Sequence, residues 1–480
     1  MVYQGPSRGC NSCRQRRKKC DGTRPSCMRC IKAGRVCGGW EHAASLHLRQ
    51  YKAQNANVSA PFVSIARKCG MPKRVPHPVT GILPEDKLPS EISREASNTF
   101  ALRAFFYNYC FISANPNLSR GYLSRLEPLA LRLGPESELV KACEAVAFGG
   151  HGKPLNRPAL VQFAEGLHQE SLSSFAQNME AGASTNRMEY KMIAMLLGLY
   201  QITMCSDEDY GNHITHAKGL AALMKISASP FALFGKDIGL FAVPAFRDSD
   251  TTLDSLLFSL EALWTRLESP QSSLDFPALA EALVALETYF SVWQKRRIPE
   301  VKATSVTTIA LRYDSNEHPV GYWPGSVDTY IDLYVAGVWN VFRAARLLLG
   351  HLLMKFTSTI YDQDSNRNTT STTYRLVEDI FASIPYHLTD NLPAFVDGMR
   401  TSEQIQPGKH LGGLLLMHPL YVVANLSSLG PEVRRYARRC LEWIGENHGL
   451  GQATLLARRS DLDREYLSSG LMLIWSGFAM

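Results

Sequence analysis

From about residue 93 onward, apolar positions recur at the three-to-four residue spacing of helices, almost to the end of the chain. The pattern predicts helices over roughly 93–114, 136–148, 157–181, 187–205, 209–227, 251–267, 276–296, 325–355, 373–387, 413–428 and 432–447. In LYVAGVWNVFRAARLLLGHLLM, Asn340, Arg343 and Arg346 recur every three residues, and everything around them is apolar until His351. That is a mostly buried helix with a narrow polar stripe. In PEVRRYARRCLEWIGENHG, Pro431 and Glu432 suit a first helical turn, and Gly449 a stop. Val433, Tyr436, Ala437, Cys440 and Ile444 form its apolar face. Arg434, Arg435, Arg438 and Arg439 lie mostly off that face, as a solvated surface partly paired with Glu442 and Glu446.

Strand signals are few. VTTIALRY (306–313) is β-branched and extended in character, but one segment makes no sheet. FTSTIYDQDSNRNTTSTTY (356–374) reads as a polar surface loop. The run 412–430 carries no Asp, Glu, Lys or Arg and nearly reaches membrane-spanning length. Its His418, Pro419, Asn425, Ser427 and Ser428 make it a buried helix broken near Pro419 instead. No repeat of 20–50 residues is present, and the body reads as all-α. Before it, prolines at 61, 72, 76, 78, 84 and 89 interrupt any periodicity and mark a linker. The expected organisation is a small module (1–40), a linker (41–92) and a large helical domain (93–480).

Charge divides the chain in the same place. Residues 1–76 carry 16 Lys/Arg against Asp21 and Glu41, a net of +14, whereas the remainder nets −7. A concentrated basic patch implies a polyanionic partner, most commonly a nucleic-acid duplex. No apolar run follows Met1, so no secretory leader is expected. In a reducing compartment, clustered cysteines read as metal ligands before disulfides.

Six of the eleven cysteines lie within CNSCRQRRKKCDGTRPSCMRCIKAGRVC (10–37), at Cys10, Cys13, Cys20, Cys27, Cys30 and Cys37. The spacing repeats C-x2-C-x6-C twice. Each half offers three thiolates, whereas a structural zinc takes four. The arithmetic closes if two zinc ions share two of six sulfurs. The net −2 of that cluster is offset by five Arg/Lys among the six positions 14–19. Metal binding worth on the order of 10 kcal/mol can fold a segment this small. Three disulfides, a redox pair and a one-zinc finger fit less well: the first needs an oxidising compartment, and a single zinc leaves two cysteines idle.

This segment resembles the Zn2Cys6 binuclear cluster of fungal transcription factors, whose pattern is close to C-x2-C-R-x-R-K-x-K-C-D. Arg14, Arg16, Lys19 and Asp21 match it, Arg17 stands where Lys is usual, and Pro25 matches the proline of the joining loop. Segments 198–224, DLYVAGVWNVFRAARLLL and LLLMHPLYVVANLSSLGPEVRRYARRCLEWI are similar to that family's helical regulatory region. The resemblance implies that Cys10 and Cys27 bridge two Zn2+, with Cys13 and Cys20 completing one and Cys30 and Cys37 the other. It also implies a nuclear transcription regulator bound to double-stranded DNA at a CGG-like triplet, controlling a fungal metabolic or secondary-metabolite pathway. Its body would respond to a metabolite or to transcriptional co-regulators. Arg16 and Arg17 are the expected base contacts, since Arg bonds guanine O6 and N7 bidentately. Arg8, Arg14 and Lys19 are expected to hold phosphates, which position without specifying. Lys18 is left between a DNA contact and a solvated charge. RQRRKK (14–19) doubles as a nuclear-import signal.

Residues 38–60 show no sustained heptad, so the protein binds either as a monomer or as a homodimer through its helical body. The contrasting reading is a zinc-stabilised protein whose basic head binds nucleic acid or acidic partners nonspecifically. An enzyme is not expected. GPSRG (5–9) lacks the strand a nucleophile elbow needs, and no H-E-x-x-H, Walker or dinucleotide motif is present. His213 and His216 have no third ligand and read as a helix-surface pair; Met188, Met192, Met195 and Met204 read as core filler. The acidic-apolar segment 248–264 reads as a packed helix.

Overall fold

The structure is a computed structural model. It describes residues 10, 12–13, 18–21, 27–35 and 37, and then 94–180, 188–206, 211–224, 241, 243–246, 251–268, 276–310, 317–357, 363–399 and 404–480. The chain divides into two compact units, Met1–Gly81 and Ile82–Met480. In the first, the described residues include α1 (Met28–Lys32), and Ser12 and Cys13 are helical as well.

The second unit is helical. Its elements run α2 (Arg94–Tyr109), α3 (Leu126–Leu133), α4 (Glu138–Gly152), α5 (Pro158–Glu180), α6 (Met188–Met204), α7 (Asn212–Leu223), α8 (Leu253–Glu268) and α9 (Phe276–Lys295). A β-pair follows, β1 (Thr304–Ile309) and β2 (Gly325–Thr329). Then come α10 (Leu333–Thr357), α11 (Gln363–Ala382), α12 (Ile384–Leu388), α13 (Leu392–Gly398), α14 (His410–Asn425), α15 (Pro431–His448), α16 (Gly451–Arg458) and α17 (Arg464–Ser476). Among the described residues no helix is long and apolar enough to cross a membrane.

Helix α14 is the hub. Every residue from His410 to Ala424 is buried, as an all-round apolar helix must be. It packs against α10, α12, α15 and α17. Gly412 permits the approach of α12, since a Cβ there would sit 1.8 Å from the His387 carbonyl oxygen. The expected break at Pro419 does not occur. The helix runs through it, because the apolar surroundings hold both of its halves. Helix α15 begins at Pro431 and ends at Gly449 in the left-handed region (φ 64°), as its sequence predicts. Met192 and Met195 are buried, with Met188 and Met204 packed against the same core.

Several elements differ from expectation. The first part of the 306–313 segment finds a partner, while 311–313 lie outside the described residues: β1 pairs antiparallel with β2, Thr304 opposite Thr329 and Ile309 opposite Gly325. Helix α10 therefore starts at 333 rather than 325, where Asp332 accepts a hydrogen bond from the Val335 amide (3.0 Å). Most of the expected 356–374 loop is the leading part of α11. The burial of Leu376, Val377, Ile380 and Phe381 fixes its far end and carries the polar turns along. Ser383 separates α11 from α12, where Pro385 supplies no amide to continue the ladder.

The polar stripe of α10 is a buried seam. Arg343 Nη1 donates to the Tyr330 hydroxyl (2.9 Å) and to Asn340 Oδ1 (2.8 Å), and Asn340 Nδ2 donates to Ser383 Oγ (2.8 Å). Arg346 pairs with Glu287 and donates to Gln294 Oε1 (2.8 Å). Two of the arginines of α15 are engaged with partners outside that helix. Arg439 pairs with Glu317 (2.7 Å) and donates to the His318 carbonyl (2.9 Å), while Arg438 donates to the Ala424 carbonyl (3.0 Å).

Arg343→Ala should cost about 3 kcal/mol, because it leaves buried hydrogen-bond partners stranded. Denaturant unfolding of the full chain measures this, and a loss under about 1 kcal/mol would remove the seam's structural importance.

Histidines are the second internal stress. Burial lowers His168, His213 and His387 to about 4, and His418 and His448 to about 3. The folded state holds these rings neutral, whereas the unfolded chain protonates them near 6.5. Their contribution is therefore complete above about pH 6.5 and is lost as pH falls toward about 4. The melting temperature should drop steadily between pH 7 and pH 5, as read by scanning calorimetry.

Candidate metal centre and nucleic-acid interface

The head has almost no apolar side chains to bury, so its described core is sulfur. Cys10, Cys13, Cys27 and Cys30 are buried, with Cys20 and Cys37 packed against them. Cys10 Sγ lies 3.6 Å from Cys27 Sγ and 3.8 Å from Cys30 Sγ. Cys13 Sγ lies 3.8 and 3.9 Å from the same two atoms. Two groups of four sulfurs form, each with all its sulfurs within 4.8 Å of one another: Cys10, Cys13, Cys20 and Cys27, and Cys10, Cys27, Cys30 and Cys37. Cys10 and Cys27 belong to both.

The sequence repeat is also a structural one, with an offset of 17 residues. The Cys10 amide donates to Cys20 Sγ, and the Cys27 amide to Cys37 Sγ, both at 3.4 Å. The Lys18 amide donates to the Cys13 carbonyl, and the Arg35 amide to the Cys30 carbonyl, both at 3.0 Å. In the second half, Cys27 caps α1 by accepting from the Cys30 amide (3.3 Å). Asp21, directly after the third cysteine, ties the halves together. Its carboxylate accepts from the Met28 (3.1 Å) and Arg29 (3.0 Å) amides at the positive end of α1. Arg29 Nη1 returns a bond to the Lys19 carbonyl (3.0 Å). The sequence carries no local signal for this strap, because Asp21 stands seven residues ahead of Met28 and Cys27 holds the cap position itself.

Packed side by side, these thiols hold their protons tightly. Burial, first, pushes Cys10 and Cys13 up to about 12; Cys30 reaches about 12 through its hydrogen bond with Cys27 and through burial. A divalent soft cation reverses that preference, because thiolate is the binding form. Lys18 and Lys19 are exposed beside the sulfurs. Arg8, Arg14, Arg16 and Arg17 lie outside the described residues. His213 is buried in the body, not on a helix surface, with Nε2 3.2 Å from the Tyr466 carbonyl oxygen.

The fungal Zn(2)-Cys(6) binuclear cluster domain matches residues 8–43. The chain belongs to the fungal Zn2Cys6 transcription factors, a family whose cluster domain binds two zinc ions and whose members bind DNA. Transcription factor dbaG of Emericella nidulans is 39% identical over 417 residues, covering 82% of this chain and 99% of that protein. Transcriptional regulatory protein moc3 of Schizosaccharomyces pombe is 42% identical over 57 residues, 12% of this chain and 10% of that protein. No solved structure matches the chain.

Chelating the zinc should unmake the head and leave the body. The full-length protein should release two zinc ions per chain to a colorimetric indicator. Its helical circular dichroism should barely change, because the long helices of the second unit supply most of that signal. Loss of a large part of the helical signal would mean that the body too depends on metal.

Proposed function

We propose that this protein is a nuclear, sequence-specific regulator of RNA polymerase II transcription that reads CGG-like triplets and controls a metabolic or secondary-metabolite pathway in a fungus. The observation that carries the reading is the pair of overlapping four-sulfur groups beside a basic stretch. Cys10 and Cys27 bridge the two zinc ions. Cys13 and Cys20 complete one shell, and Cys30 and Cys37 the other. The rigid cluster then presents the short stretch 14–19 to the major groove. Arg16 and Arg17 address guanine edges, while Arg8, Arg14 and Lys19 hold phosphates and Lys18 adds charge at the groove's edge. The body is a non-enzymatic regulatory domain that meets co-regulators, and the chain acts either as a monomer or as a homodimer paired through this domain. The module occupies residues 1–40, the linker 41–92 and the regulatory domain 93–480.

Selection of random duplex DNA by the zinc-loaded full chain, at near-physiological salt, is the direct test. Two enriched triplets at fixed spacing would support the whole reading; one triplet alone would support the reader and remove the dimer. Binding that follows ionic strength without enrichment would reduce the head to an electrostatic anchor. Arg17→Ala should relax base preference by about 1–3 kcal/mol. Lys19→Ala should mainly lower affinity and flatten the salt dependence, and equal relaxation by both would sink that division of labour. Cys27→Ala should cost both zinc ions; retention of one would refute the bridging assignment.

A further inference from the structure

The helical body contains a cleft that its own side chains leave unfilled. It runs between α8, α10, α14 and α17 in two chambers, and Trp264 and Leu348 line both. One chamber, called inner for its apolar wall, holds about 30 Å3 and is lined by residues such as Leu260, Ala344, Ala345, Val422 and Leu471. The outer one is about 270 Å3, close to the lower end of small-molecule sites at roughly 300 Å3. Its wall mixes Trp264, Leu352 and Phe356 with His351, Lys355 and Asn425.

Two polar groups along this cleft lack partners. Asn425 Nδ2 donates to the Tyr421 carbonyl (3.0 Å), which fixes the amide's orientation. Its Oδ1 is buried and accepts nothing. His418, at the inner chamber, is 2% exposed, and its Nε2 is likewise unpartnered. A buried acceptor without a donor is costly, and a packed core normally either fills such a space or satisfies the group. The acids nearby are already engaged: Arg464 pairs with Glu261 (3.3 Å) and Glu268 (3.0 Å), and Trp264 Nε1 donates to Glu268 (2.7 Å). Lys355 stands over the Phe356 ring at 5.2 Å, at the polar wall of the outer chamber.

We propose that this cleft binds a small ring compound with an apolar tail and a hydroxyl group. The ring lies in the outer chamber against Trp264 and Leu348, the tail enters the inner chamber, and the hydroxyl donates to Asn425 Oδ1. The site deepens the regulatory role given to the body above. It lies wholly within the second unit, so it stands or falls independently of what the head reads.

The probes are 4-ethylphenol and its methyl ether, 4-ethylanisole, which keeps the ring and the ethyl tail and caps the donor with a methyl group. Zinc-loaded full chain, labelled with 5-fluorotryptophan, is titrated with each while fluorine resonances are recorded. Trp264→Phe identifies the relevant signal by its disappearance. The Trp264 signal should shift saturably with 4-ethylphenol below about 1 mM, and the phenol should bind about tenfold tighter than the ether. Asn425→Leu should abolish that preference and retain the ether's affinity. No saturable shift at Trp264 in the unaltered protein overturns the site, whether or not either variant folds. Equal affinity for phenol and ether overturns the role of Asn425. DNA selection on the same preparation reports separately on the head.

Discussion

The approach of Cys10 Sγ to Cys27 Sγ, 3.6 Å, is the contact on which the head depends. Each half of the segment supplies three sulfurs, one short of a tetrahedral shell. Only by bringing one sulfur from each half into common reach do two groups of four arise. Everything else described in the head serves that approach. The two Cys amides turn onto Cys20 and Cys37, and Asp21 straps the first half to the start of α1. With few apolar side chains available, no hydrophobic burial competes with this arrangement. Charge completes it, since two Zn2+ and six thiolates leave −2 beside a row of arginines and lysines.

The body is organised by the opposite means. Its hub, α14, carries no Asp, Glu, Lys or Arg, and it is surrounded by helices that turn their apolar faces to it. One set of interior polar groups is linked, with Arg343 and Asn340 bonding to each other and on to Tyr330 and Ser383. Neutral histidines form another. They are held uncharged by burial, and their protonation competes directly with the fold.

How much of this could be read in the sequence depends on whether the deciding force was local. The six-cysteine spacing was legible because metal geometry constrains neighbours in the chain. Helix α15 was legible because Pro431, an apolar face and Gly449 all lie within it. Long-range packing decided what was misread. GSVDT (325–329) has little strand character of its own and becomes β2 only because 304–309 lies alongside it. The Thr/Asn-rich start of α11 has no apolar period and is helical because its C-terminal half is anchored. Pro419 lies in a helix that its neighbours hold together on both sides. The short helices α3, α13 and α16 fell below the length at which periodicity can be counted. Helix α17 was overlooked, although Asp463 caps it by accepting from the Tyr466 amide (2.9 Å), a readable start signal. The burial of His213 depends on Tyr466, more than two hundred residues away, and no local pattern could reveal it.

The 17-residue offset has a consequence for how this segment can change over generations. Duplicated motifs ordinarily drift apart, because one copy can decay while the other carries on. Here neither copy assembles four sulfurs alone, so neither is a spare. A substitution that removes Cys10 or Cys27 strikes both groups at once. The two halves are therefore locked into shared inheritance, free to vary in the residues between their cysteines but not to separate. The sulfur frame is thus the part of the segment least free to change.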